Sequence, residues 1–171
     1  MNYYIRKNIE SARNLYQTFK CQISTDPDIA CALERLKKLI QSTQETFSST
    51  GISAVCKKCG ESGRHCCRAG TENKCDDILL LINLLLNNPL YYRPMEQAAC
   101  GFLGEKGCTL VARPVICLNY LCQAIQDKID HTRLIAVQQA IGSELDLQFI
   151  LCEKIKATIK ALRTSHRSLK E

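Results

Sequence analysis

Nine cysteines fall within residues 56–122 of this chain, and that stretch cannot be read as an ordinary apolar core. Cys56 and Cys59 form a C-x2-C pair. The adjacent pair Cys66-Cys67 follows, then Cys75, Cys100, Cys108, Cys117 and Cys122. Residues 51–74 are rich in Gly, Cys and charge and show no apolar periodicity. A loop that long is uncommon in a compact domain unless something ties it down. Thiolates bound to a common centre would do so. The chain has 171 residues, long enough to bury a core without cross-links. Twelve cysteines amount to about 7% of it, near the level of a cysteine scaffold.

The compartment decides how such an array is read. The opening residues MNYYIRKNIE carry Arg6, Lys7 and Glu10 and no apolar core of a secretory signal. The longest apolar run, Ile78–Leu86, is interrupted by Asn83 and is far short of the ~20 residues of a membrane span. The expectation is a cytoplasmic protein without a membrane segment. Thiols there are kept reduced, so the cysteines point to a metal or a cluster rather than to a disulfide frame. The net charge is +6 with thiols counted neutral. A metal or four-iron cluster held by four thiolates carries a charge of about −2, so two such centres would leave roughly +2. The basic balance then offsets thiolate charge and argues little for nucleic acid. The C-terminal Lys154, Lys156, Lys160, Arg163, Arg167 and Lys170 read as a solvated helix face with cations toward its end. Aromatic residues for base stacking are not interleaved with them.

Outside the cysteine-rich stretch the apolar pattern is helical. Ile5, Ile9, Ala12, Tyr16 and Phe19 line one face of a helix over 2–20. Residues 24–28, Ser-Thr-Asp-Pro-Asp, read as a helix start with Pro27 in the first turn. The second helix runs to about Phe47, with Ile29, Leu33, Leu36, Ile40 and Phe47 as its stripe. Cys21 falls in the connection and Cys31 on the second helix. Asp76-Asp77 open a buried Leu-rich helix that ends at Asn87-Asn88-Pro89. Residues 90–116 read as irregular, and a short helix starts near Val115 and carries Cys117, Tyr120 and Leu121. Leu134, Val137 and Ile141 make a further stripe. Gly142-Ser143 marks a helix end or a kink, after which Leu145, Phe149, Cys152, Ile155, Ile159 and Leu162 continue. The expected fold is mostly α: a bundle-like packing around a loop-built, cysteine-rich metal site. Its parts are an N-terminal helical hairpin (1–50), a cysteine cluster region (51–125) and C-terminal helices packing on it (126–171), all in one globular unit.

The spacings carry the chemistry. C-x2-C is the commonest way for a short segment to offer two sulfurs to one metal. Lys57 and Lys58 between them favour thiolates. Cys66 and Cys67 point in different directions and suit two centres or a polynuclear one. Glycines beside Cys100 and Cys108 would let backbone approach a centre closely. The bacterial ferredoxin run C-x2-C-x2-C-x3-C is missing, as are the C-x3-C-x2-C triad of radical SAM enzymes and a second C-x2-C knuckle. Taken together, Cys56-x2-Cys59-Gly60, Cys66-Cys67, Cys100-Gly-Phe-Leu, Cys108-Thr-Leu, Arg113-Pro114, Cys117 and Cys122 resemble the YkgJ-type cysteine cluster family. This CxxCxxCC family is described as zinc- or iron-chelating. The resemblance covers roughly 54–125. Six residues separate Cys59 from Cys66, where the family commonly has about two. The resemblance implies eight ligands: Cys56, Cys59, Cys66, Cys67, Cys100, Cys108, Cys117 and Cys122. Kinship of that family with flagellin lysine N-methylases, which are described as iron–sulfur proteins, points to iron.

Other residues are weighed beside these. Cys75 is an additional candidate ligand. Cys21, Cys31 and Cys152 read as packing residues. His65 is placed on an exposed loop, with ligation as the alternative; His131 and His166 read as solvated. Arg113 is a candidate donor to thiolate or sulfide, with a solvent-facing turn residue as the alternative. Arg64 and Arg68 are read in the same way. The functional expectation is a metal-binding protein carrying iron, as an iron–sulfur cluster, for redox or metal-handling work with a protein or redox partner. A structural zinc domain serving a protein–protein interaction is the alternative. A methyltransferase-like enzyme is a second one, although no G-x-G-x-x-G fingerprint is present. No catalytic residues are assigned.

Overall fold

The computed structural model describes residues 3–61, 66–93, 99–105 and 107–168. The expectations placed on Arg64, His65 and Lys170 lie outside the described residues, as do the side chains of His166 and Arg167. Helices dominate: α1 (Tyr3–Thr25), α2 (Pro27–Ser49), α3 (Ile52–Glu61), α4 (Asp77–Leu85), α5 (Val115–Asn119), α6 (Gln123–Gln126) and α7 (His131–Ser168). A short 3₁₀ turn spans Thr71–Lys74, and two-residue strands β1 (Leu103–Gly104) and β2 (Gly107–Cys108) pair antiparallel.

The hairpin of α1 and α2 forms as its pattern predicts, but α1 runs on to Thr25. Cys21 therefore lies in the helix and not in the connection. Asp26 caps α2, accepting from the Asp28 and Ile29 amides at 3.0 and 3.1 Å, with Pro27 at the first helical position where no N–H is needed. Asp26 and Asp28 also pair with Lys154 of α7, tying the start of α2 to the far half of that helix. Ile5, Ile9, Ala12, Leu15, Phe19 and Ile23 of α1 are buried, and so are Ile29, Leu33, Leu36 and Ile40 of α2.

Two expectations fail for physical reasons. Residues 52–61, read as loop, are helical. Ile52 and Val55 anchor α3 in a core with Leu118, Ile125, Val137 and Ile141, and Lys57-Lys58 are good helix formers. Of the two readings of Gly142-Ser143, the helix end is not formed, since α7 continues for 38 residues, about 57 Å. Val137 and Ile141 lie in one core; Leu147, Leu151, Ile155 and Ile159 lie in the other. Packing on both sides of Gly142 outweighs the ~1 kcal/mol that one helical glycine costs. The second stripe follows 147-151-155-159, so Phe149 falls on the opposite face and is 67% exposed.

The larger core joins α1, α2, α4 and the second half of α7; the smaller one holds α3, α5, α6 and the first half of α7, with Phe47 at the end of α2 packed against it. Helix α4 is capped by Asp76, whose Oδ1 accepts from Leu79 N at 2.7 Å. Its interior Asn83 is fully buried and fully used. Oδ1 accepts from the Val111, Ala112 and Asn88 nitrogens; Nδ2 donates to the Leu79 and Ala112 carbonyls. That one side chain holds the irregular segment 109–112 against α4 and so positions the cysteines on either side of it. Among the described residues no helix is long and apolar enough to cross a membrane.

Candidate metal centre

The cysteines arrive from seven places along the chain. Cys56 and Cys59 lie three apart on α3, on one helical face. Cys66 and Cys67 follow α3. Cys75 closes the 3₁₀ turn: its amide donates to Glu72 O at 3.0 Å, and its carbonyl accepts from Asn8 Nδ2 of α1 at 2.9 Å. Cys100 N donates to Cys67 O at 2.9 Å, beside an isolated antiparallel bridge between Arg68 and Ala99. The N-terminal and C-terminal cysteine groups are thus stitched together through backbone. Cys108 ends β2, Cys117 sits in α5, and Cys122 precedes α6.

The glycines beside Cys100 and Cys108 each have a part in the local fold. A Cβ on Gly101 would meet the Tyr92 ring at 2.1 Å, so its small size admits a neighbouring aromatic ring that packs edge-on against Phe102. Gly107 has φ +109°, a left-handed conformation suited to the tight turn between β1 and β2.

The thiols act on one another. Burial, then Cys66, Cys122 and Cys59, hold the Cys56 thiol above its ordinary range. Cys67 is raised first by a hydrogen bond with Cys66, then by burial and by Cys66, Cys108 and Cys117. Cys75 is raised by burial, then by Cys117, Cys100 and Cys108. Burial pushes Cys100 to about 12 and Cys117 to about 11, with Cys108 adding to both. Cys108 keeps exposed surface, yet desolvation raises its thiol too, against the Leu110 amide and Arg113. All nine cysteines singled out from the sequence therefore share one neighbourhood, at the junction of the two cores. Cys67, Cys75 and Cys100 border the larger core, and Cys122 borders the smaller. All twelve cysteines are free thiols.

Arg113 is half-buried, its guanidinium carbon 5.8 Å from the Phe47 ring centre. Its positive charge acts on Cys56, Cys108 and Cys117. It therefore faces the thiols rather than only solvent. Of the three outliers, Cys152 packs against the larger core as expected. Cys21 and Cys31 do not: both are exposed, on the outer faces of α1 and α2. Sequence reasoning missed one polar group, Glu144. It is fully buried on α7, within the electrostatic reach of Arg113. A glutamate between Ser143 and Leu145 gives no such signal.

Soft thiolates are the right donors for zinc, iron or an iron–sulfur cluster. Burial raises the thiols of Cys56, Cys75, Cys100, Cys108 and Cys117 and adds to the rise at Cys67, and a bound cation would reverse that by favouring the ionised form. Among the described residues, no three Cys, His, Asp or Glu side chains are preassembled tightly enough to hold one ion. The donor set fits such a centre in kind. No protein-family model, no curated protein and no solved structure matches this chain.

Proposed function

We propose that this chain is a metal-binding protein of the CxxCxxCC type, holding its metal on Cys56, Cys59, Cys66, Cys67, Cys100, Cys108, Cys117 and Cys122, with Cys75 as a further ligand. The reading rests chiefly on one observation. Nine cysteines dispersed over 67 residues act on one another as neighbours, while the three others lie elsewhere. The first choice of metal is iron, as an iron–sulfur cluster, in redox or metal-handling work. An all-sulfur donor set and the resemblance to the YkgJ-type family support it. Arg113 is placed to offset thiolate charge there.

Zinc in a structural site is the second reading. It is favoured by Val115, Ile116 and Tyr120, each more than half exposed around Cys117, which would give a partner protein an apolar contact beside the centre. Anaerobic expression, a visible spectrum and elemental analysis separate the two. A brown protein that bleaches in air and contains iron and sulfide supports the first. A colourless anaerobic protein with stoichiometric zinc, unfolded by chelation without a redox signal, overturns it in favour of the second.

A further inference from the structure

Three buried oxygens of α7 have no hydrogen-bond donor among the described residues: both carboxyl oxygens of Glu144 and the side-chain oxygen of Gln148. Glu144 is 0% exposed and Gln148 6%, and they stand one helical turn apart on one face of the helix. None of the ion pairs among the described residues involves Glu144. Thr43 of α2 is also fully buried, but its single hydroxyl proton is directed to the Leu39 carbonyl at 3.0 Å and the Ala140 carbonyl at 3.4 Å. A carboxylate buried with neither donor nor counter-ion is costly, so this carboxyl calls for a proton of its own.

Gln148 decides where that proton points. The Arg113 carbonyl only accepts, so the Gln148 amide must turn its nitrogen there, and Nε2 donates to it at 3.1 Å. Oε1 is then left as the oxygen without a donor. A protonated Glu144 supplies one, because side chains four residues apart meet on a helix. The outcome is a short relay, from Glu144 O–H to Gln148 Oε1 and from Gln148 Nε2–H to the Arg113 carbonyl. Its last bond holds the residue next to Pro114, which caps α5.

Ionisation reverses the relay. A carboxylate has no proton to give and takes donors only, and the donor one turn along its own face is Gln148 Nε2. Drawn to the carboxylate, Nε2 leaves the Arg113 carbonyl. We infer that Glu144 and Gln148 form a proton-controlled latch on α5: while Glu144 is protonated, Gln148 holds the Arg113 carbonyl and the start of α5 against α7, and loss of the proton to solvent loosens that segment. The segment carries Val115, Ile116 and Tyr120, each more than half exposed, so the latch governs how firmly this apolar surface is presented. The latch does not depend on a metal. Only the O–H bond of Glu144 breaks, and nothing is oxidised or reduced. The groups that act on Glu144 are Thr43 from α2, which does not titrate in this range, and Arg113 from the segment before α5. Burial holds the carboxyl above its ordinary value of 4.5 against both. The stability that the proton confers is therefore complete below pH 4.5 and is lost as pH rises through the folded value.

The test uses the full chain, reduced and without metal. Glu144→Gln keeps a donor for Gln148 Oε1 and mimics the protonated side chain at every pH. The unfolding constant of the wild type, divided by that of the variant, should rise up to about tenfold per pH unit above 4.5 until Glu144 ionises in the folded chain. Amide hydrogen exchange at 115–119, corrected for its intrinsic pH dependence, should quicken in the wild type as Glu144 ionises and stay level in the variant. A ratio that does not change with pH overturns the inference, and so does exchange that follows one course in both proteins. Should Glu144→Gln not fold, carbon-13 NMR of the wild-type Glu144 carboxyl provides the second arm. Its titration midpoint should lie above 4.5, and a midpoint at or below that value overturns the inference.

Discussion

At the scale of single residues, the cysteines divide by surroundings rather than by spacing. Cys75 is 2% exposed and Cys100 lies in the same core, whereas Cys21 and Cys31 face water. With the metal-free protein and a limiting maleimide, Cys21 and Cys31 should be modified first and Cys75 and Cys100 last, read by peptide mass spectrometry. Added zinc should slow the nine clustered thiols and leave Cys21 and Cys31 unaffected. Modification of Cys75 ahead of Cys31 would contradict this placement. Burial also sets a pH dependence. Cys100, Cys117 and Cys152 titrate at about 12, 11 and 11 in the folded chain, above the ordinary value of 9.0. As pH rises past that ordinary value, the unfolded chain gives up these protons before the folded one does. The stability they contribute is therefore complete below pH ~9 and is lost as pH climbs through 11 to 12. The melting temperature of the metal-free protein should fall steadily over that range, and less steeply in Cys152→Ala. A flat profile would exclude the burial described here. The sequence marked out nine cysteines by density and motif, which are local features. It gave no sign that Cys21 and Cys31 are exposed, because that depends on which side of each helix the rest of the chain covers.

Elements were legible where one face does one job. The stripes of α1 and α2 and the Asp26-Pro27 start are local and strong, and they were readable. Helix α3 was not, because its ten residues include two cysteines, two lysines and a glycine. Only Ile52 and Val55, packed on residues more than sixty positions away, make it worth forming. The continuity of α7 is likewise a tertiary fact. It yields a prediction: Gly142 has open space where a Cβ would stand. Gly142→Ala should stabilise the protein by up to about 1 kcal/mol, seen as a shift in denaturant midpoint. Asn83 tests the opposite case. Asn83→Leu fits a Leu-rich helix by composition, yet it strips partners from the Val111 and Ala112 backbone inside the core. It should cost about 3 kcal/mol or more in the same measurement. A neutral result would mean that the segment 109–112 is held by something other than Asn83.

At the scale of the molecule, two cores share α2 and α7, and the cysteines occupy the junction between them. Only the mostly helical class was foreseeable there. The division into two cores was not, since it arises from residues such as Ile52 and Val137, which are far apart in sequence. If a metal draws the cysteine segments together, its effect should be regional. Hydrogen exchange measured with and without metal should show added protection in α3 and across 107–122, and little change in α1 and α4. Uniform protection would argue that metal merely raises global stability. The shared helices have a further consequence. The stretch of α7 that covers Thr43 of α2 lies 97 residues later in the chain. At translation rates of about 5–20 residues per second, the apolar side of α2 waits roughly 5 to 20 seconds for its cover. Newly made chains thus pass through an interval in which α1 and α2 stand incomplete, and a chaperone that shields apolar helices has its opportunity then.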